Sequence, residues 1–157
     1  GDGFNFNGAA TLTIGRGGIT QYDADTQSFN HPLALGAPQY WSIGSGAIQL
    51  DSLQTNGHLL EIGGAGTIDI SGSISGSGGI ALSEGLLQLK GVSDYTGPTW
   101  VHGGHLRVDG DTSSSALLTL ERFGTVSGSG TLAAAIGSGT VSPGSGPGIL
   151  TSASIRF

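Results

Sequence analysis

Apolar residues come in short runs along this chain, and glycine or a small polar turn separates each run from the next. Leu33/Leu35, Tyr40/Trp41/Ile43, Ile48/Leu50, Leu59/Leu60/Ile62, Ile68/Ile70, Ile74 and Ile80/Leu82 follow one another at intervals of five to ten residues. No amphipathic helix fits such intervals, because a helix needs apolar positions at i, i+3, i+4 and i+7 over ten or more residues. Within the runs the period is two. Leu59-Leu60-Glu61-Ile62, Thr67-Ile68-Asp69-Ile70 and Leu117-Leu118-Thr119-Leu120 show aliphatic side chains alternating with polar ones, as in half-buried strands.

Many short strands leave two architectures: antiparallel hairpins in a sandwich or barrel, or a parallel solenoid with about twenty residues per coil. Two-residue hairpin turns favour Asn-Gly or Asp-Gly. Between the strands from Leu33 onward only Asn56-Gly57 and Asp109-Gly110 qualify. Strands this short suit a coil in which each pairs with its equivalent in the next coil, not with its sequence neighbour. The solenoid is therefore the expected architecture, with non-local pairing by about one coil.

The ends read differently from the middle. From Phe4 to Ile14 the even positions, with Phe4, Phe6, Leu12 and Ile14, are largely apolar, which predicts a strand or strand pair. Ile149 to Phe157 alternates in the same way through Ile155 and predicts one long final strand. Ile19 to Phe29, with Asp23 and Asp25, is more polar and is expected to bulge out as a loop; Asp111 to Ser115 reads as another. Both ends would expose strand edges, which proteins usually cover or blunt. The seven apolar residues Phe4, Phe6, Leu12, Ile14, Ile149, Ile155 and Phe157 are thus candidate assembly edges. A head-to-tail contact of this kind does not close and extends into a fibre or layer.

The stretch 78–110 carries a more specific signal. It contains Gly78-Gly79, Leu86/Leu87/Leu89, Gly91, Tyr95-Thr96-Gly97, Thr99, Val101, Gly104, Leu106-Arg107-Val108 and Gly110. This order resembles the passenger-associated transport repeat, the autotransporter-associated β-strand repeat of bacterial surface and secreted proteins. Ser93-Asp94 stands where that repeat commonly has Ala-Asn, and Pro98 where it has Gly. Pro at a turn presets φ and Asp bonds its own backbone, so neither alters the strand-turn reading. Gln27 to Leu50 and Val141 to Thr151 resemble the flanks of such repeats. The resemblance implies an all-β, right-handed parallel β-helix, secreted or displayed on the bacterial cell surface.

Composition narrows the function. The 157 residues, expected to form one solenoid domain over 1–157, include 31 Gly and no Cys or Met. Disulfide and thiol chemistry are thereby excluded. No apolar run approaches the roughly 18 residues that a membrane-spanning helix needs. The first residues, Gly1-Asp2-Gly3, carry no basic region or apolar core, which suggests a processed product or an excised fragment. The net charge of −6 argues against nucleic acid.

Candidate chemistry is sparse. The glycine clusters lack the following Lys-Ser/Thr of a phosphate loop and any helix to open, so they read as turns. Gly63 to Ile70 begins like a calcium-binding β-roll nonapeptide but places Asp69 one residue late and does not repeat. His102 and His105 flank Gly103-Gly104 and would reach one metal only if the turn folded them together; neither a metal nor a cofactor is expected. A polysaccharide-active site would need stacked carboxylates with Lys or Arg. Asp51, Asp69, Asp94, Asp109 and Asp111 with Lys90 and Arg107 are the candidates, although no spacing fixes them on one face. Tyr40 with Trp41, or Tyr95 with Trp100, offers a sugar platform, but such aromatics more often cover a core. The expected function is therefore structural and non-enzymatic: a passenger stalk or a self-assembling subunit with end-to-end strand pairing. The alternative is an adhesin that binds carbohydrate or host protein through Gln21 to Gln27 or Asp111 to Ser115, and an enzyme ranks below it.

Overall fold

The computed structural model describes residues 5–144 and 149–157, so Phe4 lies outside the described residues. The described chain is all-β, with parallel strands stacked as a solenoid of about 7 turns. Three strand ladders run along it. In the first, Phe29 pairs with Leu50, Leu50 with Ile70, Ile70 with Leu89 and Leu89 with Val108, steps of 21, 20, 19 and 19 residues. The second carries Leu12, Leu33, Leu53 and Ile74 in succession. The third carries Gln39, Leu60, Ile80, Thr99, Leu118, Ala135 and Ile155.

Alternation within each strand decides which side chains enter the solenoid. Ile48, Ile68, Leu87, Leu106 and Val126 form one inward column, each at most 2% exposed. Trp41, Ile62, Leu82, Val101 and Leu120 form another. Because a coil pairs only with its neighbours, these columns join into one continuous core.

Glycine marks the corners for a steric reason. At Gly110 a Cβ would overlap the carbonyl oxygen of Gly91, one coil away, so the backbones approach too closely for any side chain. The corner between the second and third ladders is instead filled from inside. Tyr95, 1% exposed, places its hydroxyl 2.6 Å from Thr99 Oγ1; Ser115 Oγ lies 3.3 Å from that atom and donates to Gly97 O. Burial raises the Tyr95 pKa above its ordinary value.

In the described part of the run Phe4 to Ile14, the strand pair that its alternation allowed is present as Asn5–Asn7 and Leu12–Ile14, on the first and second ladders. Other expectations change. The single long C-terminal strand is absent: Thr151–Ser152 and Ile155–Arg156 belong to different ladders. Inward positions recur on both sides of a corner, so period-two alternation runs through the bend and mimics one strand. The longest strands, Leu118–Gly128, Thr26–Leu35 and Thr99–Val108, lie away from the ends, and each spans two ladders. The expected loop Ile19 to Phe29 contains the strand Thr20–Gln21 and the start of Thr26–Leu35, and only a short turn around Asp23 protrudes.

Candidate functional site

The outer side of the first ladder carries the polar column Ser28, Gln49, Asp69, Gln88, Arg107, Ser127 and Ser142. Stacking thus brings Asp69 and Arg107 to one face, which their sequence spacing did not reveal. Lys90 Nζ lies 2.6 Å from Asp69 Oδ2, and Arg107 Nε lies 2.7 Å from Asp109 Oδ2. Asp51 and Asp69 line a cleft of about 500 Å³ with Asn30, Gln49 and Ser71. Asp94 and Asp111 are elsewhere, on turns beyond the first ladder; Asp111 bridges Val92 and Thr131. Asp69 and Asp109 are thus each paired with a neighbouring cation, whereas an acid–base pair of carboxylates needs one of them held protonated.

A second cleft of about 450 Å³ holds His105, Arg107, Asp109, Ser127 and Ser129. His105 Nε2 lies 2.5 Å from Ser127 Oγ, the geometry of a base beside a hydroxyl. The orienting carboxylate is not supplied: Asp109 accepts from Arg107 Nε and from Ser129 N, and among the described residues no carboxylate bonds His105. Burial, followed by the Arg107 charge, lowers the His105 pKa from its ordinary 6.5. His102 lies on the third ladder and bonds Glu121 Oε1 through Nδ1 at 2.8 Å. The turn at Gly103 sends the two histidines to different faces, so they do not converge on a metal. Among the described residues no group of three or more His, Asp or Glu side chains is placed to hold one.

The proposed aromatic pairs also separate. Trp41 and Tyr95 are core residues, at 0% and 1% exposure, whereas Tyr40 is exposed and Trp100 half-buried. Tyr40 and Trp100 occupy the same outer column of the third ladder, in the order Tyr40, Glu61, Ala81, Trp100. Sequence reasoning missed Glu61, Ala81 and Ser83 beside these rings. The coil step of 19 to 21 residues, applied from Tyr40 onward, would have found the column.

The loops offered for adhesion are smaller than expected. Gln21 and Gln27 are buried, and Gln21 Nε2 donates to Asp23 Oδ1 and to the Asp25 carbonyl. Thr112 and Ser115 are buried as well, which leaves Ser113 and Ser114 exposed. Of the candidate assembly residues, Ile149, Ile155 and Phe157 are exposed, and Leu12 and Ile14 are partly buried against the core. Phe6 belongs to the outermost described strand of the first ladder.

With this geometry, the comparisons with known proteins are informative over part of the chain. It is 45% identical over 83 residues, 51% of its length, to an extracellular serine protease of Serratia marcescens. The aligned stretch is 8% of that relative. No family model matches the chain, and no solved structure matches it. No helix among the described residues is long and apolar enough to cross a membrane.

Proposed function

We propose that this chain is a secreted, passenger-like structural module of the passenger-associated transport repeat type: a β-solenoid segment whose work is to project and to stack, not to catalyse. One observation carries the reading. The parallel ladders continue into both outermost coils, where, among the described residues, Asn5–Asn7 and Thr20–Gln21 at one end and Thr151–Ser152 and Ile155–Arg156 at the other pair on one side only. An unpaired edge of backbone donors and acceptors, with Ile155 and Phe157 exposed beside it, is a template for a further strand. The ladders can be continued by a further coil at either end, and on this reading that coil is the opposite end of another unit. Similarity to part of an extracellular protein supports export, and that relative's proteolysis is not carried over to a segment matching 8% of it.

Negative-stain electron microscopy and sedimentation across a concentration series test this reading. Rods that lengthen with concentration, and that revert to single units in the Ile155→Lys/Phe157→Lys variant, are expected. Discrete rods of one length at every concentration would refute the end-to-end pairing.

A further inference from the structure

We infer that the outer face of the third ladder is a saccharide-binding groove built around Trp100, a recognition function beyond the structural role above. The groove encloses about 340 Å³ and is lined by Leu59, Glu61, Ala81, Ser83, Trp100 and His102. That volume lies at the lower end of the range for small-ligand sites, suited to one or two sugar rings. Its depth comes from residue size: Ala81 sits between Glu61 and Trp100 in the column, 5% exposed at the floor. The Trp100 ring leans across the preceding coil, where Cζ3 would stand 3.0 Å from a Cβ at Gly79; glycine there leaves it the room.

The chemistry of the rim selects the ligand class. The π-face of an indole carries negative potential and attracts the weakly positive C–H groups on the flat side of a pyranose. Hydroxyls around that ring need acceptors and donors at its edge. Among the described residues Glu61 and the Ser83 hydroxyl have no hydrogen-bond or ion-pair partner, so both are available. His102 is held through Nδ1 by Glu121 and has Nε2 left for a ligand. No Lys or Arg lines the groove, and the chain carries a net charge of −6. Uronates, sulfated sugars and phosphates are therefore disfavoured, and an uncharged pyranose is the class that fits. Tyr40 is 52% exposed and stands three strands from Trp100 in the same column, about 14 Å away at the usual strand spacing. It gives an oligosaccharide a second ring to lie against.

Tryptophan fluorescence tests this directly, because the chain has 2 Trp residues and Trp41 is 0% exposed, so a ligand-induced change reports Trp100. The full chain is titrated with oligosaccharides of glucose, galactose and N-acetylglucosamine, with oligogalacturonate as the charged comparison and a neutral decapeptide as the non-sugar comparison. A saturable change with at least one neutral oligosaccharide is expected. Trp100→Ala, read by calorimetry, weakens that binding about tenfold. Glu61→Gln weakens it several-fold, and Phe123→Ala, which removes an exposed aromatic outside the groove, leaves it unchanged. The inference is overturned if no neutral sugar binds at millimolar concentration, if oligogalacturonate or the peptide binds better, or if folded Trp100→Ala binds as tightly as the parent.

Discussion

Ile80 and Ile155 are the same residue at the same inward position of the same ladder, yet Ile80 is 1% exposed and Ile155 is 40% exposed. The second ladder repeats the contrast: Leu33 is 0% exposed, whereas Leu12, one coil earlier, is only partly buried. Residue type and ladder position are alike in each pair, so these two do not set the burial. A coil cannot cover its own apolar face; the coil above and the coil below do so. Residues in the middle of the stack have both covers, and residues at its ends have one.

The most severe way to break this contrast is to empty both positions. Ile80→Ala is expected to cost about 2–5 kcal/mol, because the removed atoms leave a cavity between two rigid neighbours. Ile155→Ala is expected to cost under about 1 kcal/mol, since water already reaches that side chain. Chemical denaturation with an unchanged m-value measures both. Equal losses would mean that the C-terminal end is covered in solution, and an Ile155→Ala cost that grows with protein concentration would identify another copy as the cover.

A smaller effect separates the middle from the ends at the corners. Gly110→Ala places a methyl group against the Gly91 carbonyl of the adjoining coil and is expected to destabilise by about 1–3 kcal/mol. At Gly15 a Cβ would meet no atom within 4 Å, and the backbone there has no left-handed φ. Gly15→Ala is therefore expected to be neutral or to stabilise by up to about 1 kcal/mol through the unfolded chain. If Gly110→Ala proves equally harmless, the close approach of coils does not explain the corner glycines.

The fold was legible because period-two runs and corner glycines survive as local signals: Ile80–Leu82 and Leu86–Leu89 are strands where their alternation placed them. The coil step was legible only as an approximate number. That is why Asp69 and Arg107 could not be assigned to one face, or Tyr40 and Trp100 to one column, although a shift of a single residue decides both. For Tyr95 the sequence favoured a core role over a sugar platform, and its burial agrees, but the partners of its ring were not legible. Its motif marks a turn, and only packing shows that the turn folds its ring inward to meet Thr99 and Ser115. At the C-terminus alternation was a false guide, because it passes through a corner unchanged.

Stacking also governs the outer face, and the histidines of strand Thr99–Val108 offer the finest test of that. His102 lies exposed beside Glu121, whereas His105 is partly covered by Ser127 of the following coil, within a cleft that extends to Ser142 and Pro143. Burial and the Arg107 charge lower the His105 pKa from 6.5, so the folded state resists protonation more than the unfolded state does. Between the lowered value and about 6.5 the unfolded chain binds more protons, and stability rises with pH across that window. The contribution is complete above about 6.5 and is lost as pH falls through the window to the folded pKa. It is separate from acid loss at Asp23 and Asp111, whose pKa values hydrogen bonds lower from 3.8. Denaturation midpoints of the parent chain are therefore expected to fall between pH 7.5 and 5.5. In His105→Gln, which keeps a hydrogen-bonding partner for Ser127 without a titrating ring, they should stay nearly level. Parallel slopes in the two proteins would show that the following coil does not shield His105, and that burial by stacking stops at the core.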